Sequence, residues 1–472
     1  MVKLARASAV NFAVNNIETI IGAIATLYFA RVLGAGPMGS YFLALGLINW
    51  LLIPSSGINT AVLKRVSEDW DQDWFFSAGL SLQLGYLLIV VGCILFFANR
   101  VNEYIGFDGA ILVGGGIACL GLARLLNIVL RGKNRVELAS ILEGLRNIAR
   151  ILSQVALVVI FGLGLTGLLI GEVLAAIGIS IVLVVILKPK AVLPARRHFT
   201  QLYEYGKYSW FGSLKVNAYS WTDTLVLGLF VSVTVVGTYE IAWRISALFI
   251  LLPAAFGSTI FPTISKHAQN ENFEPIRQII ERTVPLAPAL AIPGAVGAIV
   301  IGSEVLAIYG PEFTSGALFL FVLSVARILE AIEQLLEQVL NALDYPERTF
   351  RVAVVFIIIN TGLNFGLILA VGAIGAAVAT CISTLVSFAL AWHLLPNEVT
   401  PPVPLRTISV EVASASVMGI IVHFVSTIFT PQTIFEVTIY VGGGAMIYIV
   451  GLLLGSPLAR DVFEQLISES IR

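Results

Sequence analysis

Residues 236–265, VGTYEIAWRISALFILLPAAFGSTIFPTIS, decide the fold. Wound as a helix, thirty residues reach about 45 Å, more than the roughly 30 Å of a bilayer's hydrocarbon core. From Ile245 to Ser265 the stretch carries no charge, yet Glu240 and Arg244 stand one helical turn apart near its start. The rest of the chain repeats this pattern of long apolar runs with rare ions. Its 472 residues are 58% hydrophobic and 12% charged, with a mean hydropathy of +0.93. A soluble domain carries about 25% charged residues. No soluble core hides this much apolar surface, so lipid must cover most of it. The sequence predicts an all-α polytopic membrane protein.

Apolar runs between charged or Pro/Gly breaks predict about fourteen spans. They lie near 9–31, 38–62, 76–98, 110–131, 145–162, 167–187, 209–231, 237–264, 284–302, 316–341, 351–371, 373–395, 406–428 and 435–455. The first holds Asn11, Asn15, Asn16 and Glu18 and lacks a clear cleavage site, so it reads as a retained helix. Orientation follows from Lys and Arg, which stay on the cytoplasmic side. Arg31 and Arg100 fall in other connections, and Arg124, Lys215, Arg244 and Arg327 fall within spans. Every other one of the 28 Lys and Arg residues lies at a terminus, in an even-numbered connection or at an adjoining helix end. Both termini are therefore expected in the cytoplasm.

The remaining composition narrows the chemistry. Cys93, Cys119 and Cys381 are isolated and read as core filler. A net charge of −1 gives no reason to expect nucleic acid. The acidic run EDWDQDW (68–74) contains a DxD spacing, but with no nucleotide-binding domain beside it the run reads as a solvated loop. No metal and no cofactor are expected.

The spans fall into two halves. GSY (39–41) opens a segment that meets Pro54 and ends in LKRVSE (63–68); GTY (237–239) opens another that meets Pro253 and ends in ISKHAQ (264–269). The offset is six spans, an even number, so the repeat is parallel and its axis lies along the membrane normal. The segment 31–68, through Arg31, Gly34, Gly39, Tyr41, Gly57, Lys64 and Arg65, resembles the opening helices of the polysaccharide-exporter (oligosaccharide flippase) branch of the multidrug/oligosaccharidyl-lipid/polysaccharide exporter superfamily. Residues 236–265 look like the matching segment of its second half. Residues 340–383 are similar to its third signature, through Asn341, Asn360, Asn364, Gly372, Gly375, Ala376, Ala377 and Thr380. The resemblance spans essentially the whole chain. It implies an N-terminal six-helix bundle (1–190), a C-terminal six-helix bundle (208–396) related to it by a pseudo-two-fold, two additional helices (397–455) and a cytoplasmic tail (456–472). It further implies a plasma-membrane flippase that moves lipid-linked oligosaccharide by alternating access.

The ions inside the spans name candidate sites. A charge at the bilayer centre costs about 2.5–3.5 kcal/mol on insertion scales. Glu18, Arg124, Glu172, Lys215, Asp223, Arg244, Arg327 and Glu330 facing lipid together would exceed the roughly 5–15 kcal/mol stability of a whole protein. Most must face a bundle interior or a watery cavity. Arg327, Glu330, Gln334, Glu337, Gln338 and Asn341 share one helical face, as do Asn11, Asn15 and Glu18. Glu172, near the start of its span, reads as interfacial. Arg244, Lys215, Arg124 and Arg327 are candidates for a cationic wall that holds a polyprenyl phosphate or pyrophosphate head, for which the guanidinium fork is suited. Glu330, Asn15 and Asn364 are candidates to complete the binding site. Two readings of the Glu240/Arg244 pair stand: an i,i+4 ion pair near the outer membrane end, or a cavity cation that Glu240 holds while the cavity is empty. Asp223 and Glu18 are candidates for a coupling proton or sodium ion, because a buried carboxylate titrates with its surroundings.

Two other transport readings share these features. One is a drug or organic-cation antiporter of the same superfamily, which would need an acid-dominated cavity. The other is a peptidoglycan lipid-precursor flippase. A membrane glycosyltransferase would need a catalytic group on a sizeable outer loop, and the expected outer loops are short. The topology itself is testable. A cysteine placed at Asp71 or at Ala195 should stay unlabelled when an impermeant thiol reagent meets intact cells. Strong labelling of either would invert the arrangement.

Overall fold

The computed structural model describes residues 21–472 apart from 69, 191, 402–404, 430, 432 and 471–472. All its regular structure among those residues is helical. Lipid offers no partner to a free backbone N–H or C=O, so an apolar run must satisfy these groups within itself, and a helix does so. The chain packs as two compact units, 1–237 and 238–472.

The first unit contains α1 (Ile21–Leu33), α2 (Ala35–Leu51), α3 (Ile53–Val66), α4 (Gln72–Phe96), α5 (Ala98–Ile105), α6 (Ala110–Gly132), α7 (Val136–Val155), α8 (Gly164–Leu187), α9 (Arg196–Ser209) and α10 (Phe211–Phe230). The chain crosses the division within α11 (Val233–Ser246). The second unit continues with α12 (Leu251–Gln269), α13 (Phe273–Thr283), α14 (Ala291–Ala307), α15 (Ala317–Ala342), α16 (Pro346–Val371), α17 (Ile374–His393), α18 (Leu405–Ile428), α19 (Ile434–Gly455) and α20 (Pro457–Ser470). Ten helical stretches among the described residues are long and apolar enough to cross a membrane, and the bent pair α2–α3 makes an eleventh. The other three expected spans coincide with α1, which is short as described, and with α7 and α10, which carry ionic and polar side chains. The expectation of about fourteen spans is consistent with this arrangement.

Both repeat segments are broken helices. The first bends by 47° between α2 and α3, at Leu52, two residues before Pro54. The second passes from α11 through a 3₁₀ turn, Ala247–Ile250, into α12, where Pro253 stands in the first turn. Proline has no N–H to give and crowds the preceding turn, so it favours a kink or interruption just ahead of it, although α12 also runs through Pro262. A proline thus follows the 47° bend of the first segment and the 3₁₀ turn of the second.

In the first unit, α6 packs against α3, α4 and α8, and α8 packs against α7. Phe75, Leu125, Leu130 and Leu183 are buried together in its core. The connection after α8 folds back onto the unit. Arg197 donates to Asp71 at 2.8 Å, and the His198 ring lies between Trp74 and Phe75. The loops at 67–72 and 188–197 therefore occupy one face of this unit, as a shared membrane side requires. Beside them Arg65 bonds Glu68, which holds that carboxyl below its ordinary value. α10 rests on α2, α3 and α5, and Tyr104 on α5 donates to Leu225 O at 2.7 Å. Packing thus groups α9 and α10 with the first unit, whereas the bundle limits 1–190 and 208–396 remain an expectation from the sequence repeat.

In the second unit α15 is central, packed by α12, α14 and α17. Its Leu335, Leu336, Val339 and Leu340 are buried with Ile264 of α12 and Ile276 and Ile280 of α13. The last pair, α18 and α19, covers α14.

The glycines of the two repeated Gly-x-Tyr motifs meet. A Cβ on Gly39 would fall 1.8 Å from Val233 O, and one on Gly237 would fall 2.1 Å from Ala35 O. Here backbone touches backbone, and only glycine permits it. Gly39→Val and Gly237→Val should each destabilise the protein by about 1–3 kcal/mol or more. Gly85→Ala, with nothing within 4 Å of the added carbon, should be neutral or slightly stabilising through helix propensity. Thermal unfolding of the purified variants in detergent checks the contrast.

Candidate functional site

Charged side chains gather inside the first unit. On α7, Glu143, Arg146, Asn147 and Arg150 recur at i, i+3, i+4 and i+7, which puts them on one helical face. Arg146 stands ten residues into a helix that begins at Val136, about 15 Å along its axis. Its guanidinium bonds Glu143 at 3.0 Å and Glu172 of α8 at 3.3 Å, and a further N–H reaches Asn147 at 2.8 Å. Arg150 lies 3.6 Å from the second oxygen of Glu172. From α6, Arg124 comes within electrostatic reach of Arg146, Glu143 and Glu172 and donates to Asn49 of α2 at 2.7 Å. Glu172 is only 6% exposed. Two arginines compensate its charge, which is what makes burial of a carboxylate tolerable. Among the described residues, these three arginines against two glutamates give the cluster one positive charge in excess.

The remaining sequence candidates of the first unit are placed as follows. Asp223 on α10 is buried, as are its neighbours Thr222 and Thr224, an uninterrupted run of three buried polar residues. Asn15 and Glu18 lie outside the described residues, and so does the side chain of Lys215. A groove of about 690 Å³ lies elsewhere, between α4, α6 and α8. Its walls include the exposed Leu84, Ile181 and Val185, and the ionic cluster does not line it.

The second unit carries its own set. Arg327, at the middle of α15, is 1% exposed. It donates to Glu330 at 2.5 Å and to Ser246 Oγ at 3.2 Å, and its guanidinium stacks 4.8 Å from the ring of Trp243. Glu330, Gln334, Glu337 and Gln338 continue the expected polar face half-buried, while Leu335, Leu336 and Val339 are buried on the other side. Glu240 is buried, and the more exposed Arg244 sits 3.5 Å from it. The charge of Arg244 reaches Tyr309, in the short connection after α14; burial raises the Tyr309 hydroxyl above its ordinary value and Arg244 opposes that rise. Asn364, fully buried, donates to Asn360 O at 2.9 Å, and Asn360 reaches Thr380 of α17 at 3.4 Å. Asn360 thereby links α16 to α17, a common use of amides in membrane interiors, whereas the bond from Asn364 to Asn360 stays within α16. Within each unit, then, the candidates resolve into Arg124 with the α7–α8 cluster, and Arg327 with Glu330 beside the Glu240/Arg244 pair.

Sequence reading passed over Arg146, Glu143, Glu333 and Glu411. The first two were lost to a boundary: the fifth span was expected to begin at 145, which left Arg146 and Arg150 at its cytoplasmic end. Their i, i+3, i+7 spacing with Glu143 was the available signal. Glu333 is buried but stands off the polar stripe of α15.

Removing one partner of a buried ion pair strands the other, at a cost of about 3–5 kcal/mol. Exposed pairs are worth under about 1 kcal/mol. Glu172→Ala should therefore lower the thermal midpoint of the detergent-purified protein strongly. Glu103→Ala, which breaks the exposed Arg100–Glu103 pair, should leave it nearly unchanged. Equal midpoints would show that the α7–α8 cluster contributes little to folding.

Comparison with known proteins agrees with this architecture. Residues 4–268 match the family described as Polysaccharide biosynthesis protein, and residues 209–366 match the MatE family. The chain is 40% identical over 476 positions to a probable flippase, AglR, of Haloferax volcanii, with 100% of both chains covered. It is 31% identical over 471 positions to a probable low-salt glycan biosynthesis flippase, Agl15, of the same organism, covering 98% of each. Among solved structures, the lipid II flippase MurJ in an inward closed conformation has a TM-score of 0.77 at 17% identity, covering 96% of this chain and 99% of that one; this likeness speaks for the fold. With a family match over more than half its length and relatives along all of it, the chain belongs to the polysaccharide biosynthesis protein family of multi-pass membrane proteins.

Proposed function

We propose that this protein is a flippase that carries lipid-linked oligosaccharide across the cytoplasmic membrane for surface polysaccharide or glycoprotein glycan assembly. The substrate's lipid is a polyprenyl phosphate or pyrophosphate, and both termini of the protein lie in the cytoplasm. Two bundles, 1–190 and 208–396, alternate access to the site, and the polyprenol tail stays in lipid. The observation that carries this reading is the cationic character of the first unit's interior among the described residues, where Arg124, Arg146 and Arg150 gather around Glu143 and Glu172. Such a cluster suits an anionic head; an organic-cation antiporter needs the opposite sign. The relatives named as flippases, aligned over the full length, support the same direction. A peptidoglycan lipid-precursor would present similar phosphate chemistry, so the glycan decides between these two substrates.

In this reading Arg124 and Lys215 in the first unit and Arg244 and Arg327 in the second are the phosphate-binding candidates, and Glu330, Asn15 and Asn364 are further binding candidates. Glu330 and Glu240 hold Arg327 and Arg244 in place until substrate arrives. Asp223 and Glu18 are the proposed carriers of a coupling proton or sodium ion. The reaction moves a molecule and breaks no bond, so the protein acts as a transporter and not as an enzyme.

Arg244→Ala and Arg327→Ala should insert normally and transport poorly. Each removes a charge-assisted contact of about 1.5–3 kcal/mol, roughly ten- to a hundredfold in affinity. Arg244→Lys should keep part of the activity if charge alone matters, and little if the planar fork is needed. The measurement is flipping of a short-chain polyprenyl phosphate bearing a fluorescent sugar in proteoliposomes. Wild-type rates from both alanine variants would remove these arginines from the site.

A further inference from the structure

One carboxyl group belongs to none of these ionic clusters. Glu411 is fully buried in α18, about 9 Å along the axis from the helix start at Leu405 by helical rise. Neither of its oxygens has a hydrogen-bond partner. Around it pack α14, α19 and the 3₁₀ turn Val284–Ala289. α19 comes especially close: a Cβ on Gly451 would fall 2.9 Å from Ser414 Oγ, and one on Gly455 would fall 2.6 Å from Val410 Cγ1. These two contacts flank Glu411 along α18 and close the helix pair over it.

Among the described residues no cation answers this carboxyl. Val284–Ala289 contains no titratable residue. α14 has only Glu304, near its other end and bonded by Ser303. On α19, Glu436 caps the far terminus, and Tyr440 donates to the carbonyls of Val425 and Phe429. Tyr448 lies within reach of the Glu411 charge, and its hydroxyl is also buried without a partner among the described residues. Of the arginines near this membrane end, Arg460 donates to Leu453 O at 3.0 Å, and Arg406 is exposed. An ionised carboxylate here would lose its hydration and gain neither donor nor counter-ion, a penalty of several kcal/mol. A neutral carboxylic acid faces a far smaller one. A phenol among apolar side chains supplies too few oxygens to enclose a sodium ion.

We propose that Glu411 is a proton-carrying site of the C-terminal helix pair. It holds a proton while α18 and α19 are closed over it. When the two helices part, the carboxyl O–H bond breaks, the proton passes to water and a hydrated carboxylate remains. Motion of this pair during the transport cycle is thereby coupled to proton uptake and release. The coupling half of the inference rests on the flippase reading; the protonation half does not.

The two halves are tested separately. At neutral pH, infrared spectra of wild-type protein in lipid nanodiscs should contain a carboxylic-acid C=O band that Glu411→Gln lacks. Glutamine matches the neutral acid in shape, so the variant should fold. In proteoliposomes, flipping of the fluorescent polyprenyl-phosphate sugar by wild type should respond to an imposed proton gradient. Glu411→Gln should keep the gradient-free rate and lose that response. Absence of the acid band from wild type would overturn the proposal, and so would a wild-type gradient response in Glu411→Gln. If wild type moves no probe, the flippase reading fails and infrared alone decides. An acid band that shifts on exchange into deuterated water then supports a proton site, and one that never exchanges overturns it.

Discussion

Lipid will not solvate a charge, and the interior of this protein is organised around that fact. An arginine facing the bilayer centre costs at least about 2.5 kcal/mol on insertion scales. In the first unit α7 and α8 bring Arg146 and Arg150 onto Glu172, and Asn49 reaches across from α2 to Arg124. In the second, Arg327 is enclosed by Glu330, Ser246 and the face of Trp243. These contacts tie together helices that apolar packing alone holds weakly, because lipid tails compete on equal terms with leucine and valine side chains. The buried ions are thus part of what fixes the helices within each unit.

The second constraint is close backbone approach. With little hydrophobic drive between helices in lipid, contact depends on fit, and small residues allow the tightest fit. Gly39 and Gly237 show this most clearly, since the added carbon of any other residue would enter a neighbouring carbonyl. Both glycines open a Gly-x-Tyr motif, and both lie within the first unit. Each repeat segment also breaks ahead of its proline. A broken helix inside a membrane exposes backbone groups that need partners, which confines such breaks to places where protein or water supplies them. That is where a transport pathway would run.

Much of this was legible in the sequence. Helix identity followed from composition, and the polar stripe of α15 followed from spacing: Arg327, Glu330, Gln334, Glu337 and Gln338 do share a face, opposite buried leucines. What spacing does not give is partnership. The expected fifth span begins at 145, so Glu143 and the first half of α7 fall outside it. The two arginines that compensate Glu172 come from another helix, and no local pattern announces them. Partner choice across helices is a tertiary fact. Glu411 left even less trace: a single acid in an apolar run looks the same whether it meets an arginine or nothing.

That difference separates two solutions to one problem. Glu172 remains tolerable as an anion because two guanidiniums stand beside it; its charge is fixed by its neighbours for as long as α7 and α8 stay packed. Among the described residues Glu411 has no such neighbour, and in the proposed cycle its charge depends on whether α19 covers it. A paired acid makes a rigid joint. An unpaired one makes packing and protonation two descriptions of the same equilibrium, since closure of the helices favours the neutral form and neutralisation favours closure. The first kind holds together the helices of a unit, as a scaffold must. The second kind belongs where motion is to be linked to an ion, and α18–α19, added beyond the two expected bundles, is where this chain placed it.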